Sequence, residues 1–171
     1  MTFNGHAILE VLTRYGVDFI VIGGFAAVAQ GSPIPTNDVD ITPERDRGNF
    51  ARLSAALTEL DAKVRAEGLD PMQFAHDADS LAAVQIWNLT TTYGDLDISV
   101  MPSGTRGYED LRRDAVEIEI RGVRVLLASL ADIVRSKDAA GRDKDRRALP
   151  VLRELLARQT RARAAGPDAP G

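Results

Sequence analysis

The sequence contains no cysteine among its 171 residues, so neither a disulfide framework nor a thiolate metal site is open to it. That absence fits a reducing compartment. It holds only two histidines, His6 and His76, and neither has a sequence neighbour that would make it a ligand or a base; both are read as structural. Aromatic residues are few, at 5%, and Phe74 and Trp87 are read as core residues rather than base-stacking platforms. No apolar run approaches the roughly 20 residues that span a bilayer. Met1 to His6 shows neither the basic nor the apolar region of a signal peptide. A cytoplasmic protein without membrane association is expected.

What is present is ordinary for a folded chain. Hydrophobic residues at 44% supply one real core, and the length predicts one domain with at most a small appended part. The net charge of −4 excludes a surface coated with nucleic-acid-binding charge. The basic residues are nevertheless uneven: Arg135, Lys137, Arg142, Lys144, Arg146, Arg147, Arg153, Arg158, Arg161 and Arg163 all lie in the last third.

Periodicity and punctuation give the elements. Asn4 caps a first helix that carries Ile8, Leu9 and Leu12 and stops at Gly16. A buried strand over 17–22 runs into Gly23-Gly24 and a short helix over 25–30. Pro33 and Pro35 keep the chain extended up to a strand at 38–41, and an amphipathic helix follows over 46–61. Lys63-Val64-Arg65 reads as a short strand, and 66–80 reads mostly as loop. Residues 83–101 alternate as a hairpin about Tyr93-Gly94, and a helical turn at 108–115 precedes a second hairpin over 117–127. Ser129 caps a helix to Ala140, and a last helix spans 143–159 with a kink expected at Pro150. The predicted fold class is α+β, a mixed sheet flanked by helices with a small helical part at the C-terminus. Residues 1–127 form the core unit, 128–159 the helices packed on it, and 160–171 a flexible tail.

Asp38-Val39-Asp40-Ile41 organises the functional reading. On a strand, residues two apart share a face, so Asp38 and Asp40 lie side by side while Val39 and Ile41 point into the core. Two adjacent carboxylates need a divalent metal, a basic partner or open solvent. Leu96-Asp97-Ile98 repeats the design, acid on one face and core on the other. If the two strands are neighbours, Asp38, Asp40 and Asp97 converge. Three carboxylates can hold one or two Mg2+ ions for phosphoryl or nucleotidyl transfer from a nucleoside triphosphate (NTP). Gly23-Gly24 at a strand-to-helix junction lets backbone N–H groups approach phosphate, and Thr36 offers a hydroxyl. Alone, an Asp-x-Asp is compatible with a solvated strand edge; the conjunction of parts points to chemistry.

These parts resemble the nucleotidyltransferase superfamily that shares its fold with DNA polymerase β. The correspondence rests on Val21-Ile22-Gly23-Gly24, Asp38-Val39-Asp40-Ile41 and Leu96-Asp97-Ile98, with Asn37 where the pattern has an apolar residue. Further on, Ser136-Lys137 and Gly141-Arg142-Asp143-Lys144-Asp145 look like the motifs of the AbiEii/MenT-like toxin nucleotidyltransferases. The resemblance implies a nucleotidyltransferase fold and an Mg2+-dependent transfer of a nucleoside monophosphate to an acceptor hydroxyl, with release of pyrophosphate. It implies that Asp38, Asp40 and Asp97 bind metal, that Gly23, Gly24, Thr36 and Lys137 contact the nucleotide, and that Lys137 and Asp145 join the acids in catalysis. It further implies that the acceptor is the 3′ end of tRNA and that the chain is the toxin of a toxin–antitoxin pair with a cognate antitoxin as partner. Arg142, Lys144, Arg146, Arg147 and Arg153 would then contact RNA phosphates.

Two alternatives stay open. One is a related enzyme modifying a small molecule or a protein, which the chain's length disfavours because such enzymes tend to carry a further acceptor-binding domain. The other is a non-catalytic regulatory domain of the same fold, which predicts no saturable Mg-NTP binding.

Overall fold

The computed structural model describes residues 2–166. Its centre is a seven-stranded sheet in the order β3-β4-β5-β2-β1-β7-β6. The strands are β1 (Phe19–Ile22), β2 (Asp38–Pro43), β3 (Lys63–Val64), β4 (Ile86–Thr91), β5 (Gly94–Ser99), β6 (Val116–Ile120) and β7 (Val123–Leu127). The sheet is mixed. β2 runs antiparallel to β1 but parallel to β5, and β1 runs parallel to β7.

β2 and β5 are therefore neighbours, and their register decides the site. Asp40 lies opposite Asp97, Val39 opposite Leu96 and Ile41 opposite Ile98. Alternation then separates the two faces. Val39, Ile41, Leu96 and Ile98 are buried to within 1% and join the core with Leu89 of β4. The acids are left on the other face. A one-residue slip between these strands would bury carboxylates and expose the core, so the apolar set fixes the acid register.

The helices are α1 (Gly5–Arg14), α2 (Gly23–Ala29), α3 (Arg47–Glu59), α4 (Ala78–Ala82), α5 (Tyr108–Arg112), α6 (Leu130–Ala140) and α7 (Asp143–Ala165). Asn4 caps α1 as its sequence predicts, accepting from the Ala7 N–H at 3.1 Å. Ile8, Leu9 and Leu12 of α1 and Leu53, Leu57 and Leu60 at α3 are fully buried in the same core. Leu130 and Ile133 of α6 and Leu152 of α7 also belong to that core, so the C-terminal helices share it.

Three local expectations change. α2 begins at Gly23 rather than Phe25, because Gly23 adopts φ +66°, a conformation open to glycine that turns the strand straight into the helix. Part of the expected loop 66–80 starts α4, where Asp77 accepts from the Ser80 N–H at 2.8 Å and the Ser80 hydroxyl accepts from the Asp77 N–H at 2.9 Å. This is a reciprocal cap, and Asp77-x-x-Ser80 was its sequence signal. The helix expected to end at Gln159 runs on to Ala165 through the first part of the proposed tail; residues 167–171 lie outside the described range. α7 also continues through Pro150, which removes one N–H from its hydrogen-bond ladder.

Asn49 braces the start of α3 to the sheet. Fully buried, its side chain accepts from the Asp18 N–H at 2.8 Å and donates to the carbonyls of Asp18 and Glu44, both at 2.9 Å. Asn49→Ala leaves the Asp18 N–H and the Glu44 carbonyl without these partners, while the Asp18 carbonyl keeps the Glu44 N–H at 3.0 Å. A loss of about 2–4 kcal/mol is expected, read as a lower urea midpoint at unchanged slope.

Candidate active site

The acid face of β2 and β5 opens into a cleft of about 570 Å3. One wall carries Asp38, Asp40 and Asp97, and the opposite wall carries Lys137 of α6 with Arg142 and Lys144 at the start of α7. One oxygen from each acid can be chosen so that all lie within 4.8 Å of one another. The convergence expected from the sequence is present because the β2–β5 ladder sets Asp40 beside Asp97.

The surroundings hold these carboxylates in place. The Thr36 hydroxyl donates to Asp38 Oδ1 at 3.0 Å, so its observed role is to orient an acid. Gly23 and Gly24 line the cleft for a steric reason. A Cβ on Gly23 would stand 2.7 Å from Asp40 Oδ2, and one on Gly24 would stand 3.1 Å from Thr36 Oγ1. The first turn of α2, which lines the cleft, has no side-chain cap on its backbone N–H groups.

The acids strain against one another. Burial, then the charges of Asp38 and Asp97, push the Asp40 carboxyl up to about 7, opposed by Lys144 and Lys137 across the cleft. Burial also raises Asp97, countered by Arg65. Three half-buried carboxylate oxygens aimed at one point are a hard donor set suited to a divalent cation such as Mg2+.

Behind the basic wall lies Asp145. It is fully buried, absent from the cleft lining, and surrounded by cations. Arg142 donates to it through its N–H at 3.2 Å and Nε at 2.7 Å, and Lys137 Nζ stands 3.4 Å away. Burial opposes its ionisation, but the hydrogen bonds and charge of Arg142, with the charge of Lys137, hold the carboxyl below its ordinary range. Asp145 thus caps α7 and anchors Lys137 and Arg142, both of which line the cleft.

The remaining basic candidates separate. Arg142 and Lys144 line the cleft, whereas Arg146, Arg147 and Arg153 are exposed along α7 outside it. Arg146 pairs with Asp143 and Arg153 with Asp138, both at the surface. His76 fits a structural role: its Nδ1 meets the Ser54 hydroxyl at 2.7 Å, away from the cleft, and Phe74 stacks on Trp87 with centroids 5.3 Å apart, whereas His6 Nε2 is buried without a hydrogen-bond partner.

Sequence reasoning missed Arg65 altogether. Its guanidinium contacts Asp95 and Asp97, 30 and 32 positions further along the chain, and no local pattern signals that pairing. It also missed Asn88, which lines the cleft together with Ser99 and the exposed Ile86 and Met101. Asn88 is the β4 partner of Asp97, and only the strand register reveals it.

Asp40 gives a pH prediction. Its folded pKa of about 7 exceeds the ordinary 3.8, so the folded metal-free protein keeps a proton that the unfolded chain releases. Stability therefore falls as pH rises from about 4 to about 7. Asp40→Asn, which cannot ionise, is expected to be ~2–4 kcal/mol more stable than wild type near pH 8 in EDTA. The difference should vanish toward pH 4 in denaturant titrations, and the variant should not turn over substrate.

Comparisons with known proteins give a family and a shared fold. The family described as nucleotidyltransferase of unknown function (DUF6036) matches residues 6–159. No curated protein sequence matches the chain. Among solved structures, the lincosamide antibiotic adenylyltransferase LnuA, lincomycin-bound, is similar at TM-score 0.60 and 12% identity, over 91% of this chain and 99% of that one. ANT(2″)-Ia in complex with adenylyl-2″-tobramycin is similar at TM-score 0.56 and 19% identity, over 91% and 88%. The Thermotoga maritima protein TM1012 is similar at TM-score 0.53 and 19% identity, over 90% of each chain. At these identities the structures establish a shared fold.

Proposed function

Since the chain belongs to this family of nucleotidyltransferases, we propose that it transfers a nucleoside monophosphate from an NTP to an acceptor hydroxyl at the Asp38–Asp40–Asp97 site, with Mg2+ as the metal. One observation carries the reading. Three acids with ligand atoms within 4.8 Å of one another face Lys137, Arg142 and Lys144 across a single cleft. Acids alone would make a cation site and bases alone an anion site; opposed in one cleft they fit a metal–polyphosphate pair.

The acceptor oxygen bonds to the α-phosphorus as the bond to the bridging oxygen of the β-phosphate breaks, pyrophosphate leaves with that oxygen, and the hydroxyl proton passes to solvent water. Lys137 and Lys144 balance charge on the departing pyrophosphate, and Asp145 holds Lys137 and Arg142 in place. Gly23 and Gly24 leave room for phosphate against the backbone, and Thr36 keeps Asp38 aimed inward. A bound divalent ion would acidify the attacking hydroxyl and draw charge from the leaving group. The acceptor enters beside Asp97, past Asn88, Ser99, Ile86 and Met101.

For the acceptor we favour RNA, specifically the 3′ end of tRNA, with the chain acting as the toxin of a toxin–antitoxin pair. Support comes from the resemblance at Lys137 to Asp145 and from the run of arginines on the exposed side of α7. Their surface ion pairs are weak enough to be exchanged for phosphates. A small-molecule acceptor is the second reading, and one observation favours it. LnuA is covered over 99% of its length, so a chain of this size needs no further domain to be lincomycin-bound.

The test is transfer from each α-32P-labelled NTP with Mg2+, offered total tRNA, lincomycin or tobramycin. Label on tRNA supports the first reading; label confined to a small molecule supports the second. Transfer to none of them with any nucleotide would sink both. Asp38→Ala should lower transfer at least ~100-fold while leaving the circular dichroism spectrum unchanged. Asp145→Asn, by loosening Lys137 and Arg142, should raise the KM for NTP more than it lowers kcat.

A further inference from the structure

Arg65 follows β3 and takes no part in the reaction as derived above. Its backbone N–H donates to the Asn88 carbonyl at 2.9 Å, which fixes where the side chain starts. From there Nη1 donates to the Leu89 carbonyl at 2.8 Å and lies 3.0 Å from Asp95 Oδ2. Nη2 stands 3.0 and 3.3 Å from the two oxygens of Asp97. One planar guanidinium therefore grips both acids of β5 at charge-assisted distances. The Asp97 side chain is only 19% exposed and that of Arg65 32%, so solvent screens the contact weakly.

Asp97 thus serves two cations. Arg65 fixes its orientation, which helps a metal, and adds positive charge against one of its three ligands, which opposes a metal. Repulsion between a guanidinium and a divalent ion that share a half-buried carboxylate outweighs the gain from a better-aimed oxygen. We propose that Arg65 is a positioning residue that acts as a resident counter-cation. It keeps Asp97 placed for the metal while holding the affinity of the nucleotide-free protein for divalent metal low. Metal then enters with the NTP, whose phosphates bring the negative charge that Arg65 has cancelled. The inference rests on the metal-dependent reading of the triad given above.

Mn2+ is the probe, its binding followed by electron paramagnetic resonance of the free ion with full-length protein and no nucleotide. Arg65→Gln, which keeps a hydrogen-bond donor but no charge, is expected to bind Mn2+ at least about tenfold more tightly than wild type. Arg65→Lys, which keeps the charge, should stay within about threefold. A guanidinium that merely ties β3 to β5 would leave the Mn2+ affinity of both variants unchanged. That result, or weaker binding by Arg65→Gln, overturns the proposal. If circular dichroism shows Arg65→Gln unfolded, the same comparison is made in an Asp95→Asn background, which removes the second carboxylate left unpaired. Wild-type protein is separately given Mn2+ with the α,β-methylene analogues of the four NTPs. Absence of any ternary complex in water proton relaxation would reject the metal-dependent reading itself, and with it the role of Arg65.

Discussion

The structure depends on holding three like charges together against their repulsion. Asp38 and Asp40 cannot separate because they alternate with Val39 along β2, and Asp97 cannot withdraw because Leu96 and Ile98 are locked opposite Val39 and Ile41. Moving any acid away would pull an apolar neighbour out of the core. Hydrophobic burial on one face of the sheet is thereby converted into electrostatic strain on the other. The Asp40 carboxyl is raised first by its burial and then by the charges of Asp38 and Asp97. Such a site gains most when a cation arrives, and that is a useful property for an enzyme whose substrate carries one.

The basic wall is built by the opposite device. Asp145 is buried completely and flanked by Lys137 and Arg142, so a buried acid holds two cations that line the cleft. Its position at the third residue of α7 also closes the helix start, since it accepts from the Arg142 N–H. One residue therefore caps a helix and orders a binding surface. On the acid wall, Thr36 and Arg65 do the corresponding work, one on Asp38 and the other on Asp97.

Much of this was legible in the chain. The alternation of acid and apolar residues at 38–41 and 95–98 identified two strands with one wet face each, and all three site acids lie on them. The helix caps at Asn4 and Ser129 were read correctly from residue type and the apolar spacing that follows. Short or compound elements were less legible. The five-residue α4 is too brief for helical periodicity to register, and α7 outlasts its apolar stripe because Arg161 to Ala165 have no core to meet.

The sequence by itself determined the donor set, because period-two alternation is a local property that assigns each acid to a face without knowledge of its partners. It likewise determined where the chain turns, through Gly23, the prolines and the helix caps. Only the tertiary structure decided that β2 and β5 are parallel neighbours in a register that sets Asp40 beside Asp97. Only it placed Arg65 on Asp97 and set Asp145 behind Lys137. Those pairings join residues far apart in the chain, and their energies depend on burial and distance, which no stretch of sequence contains.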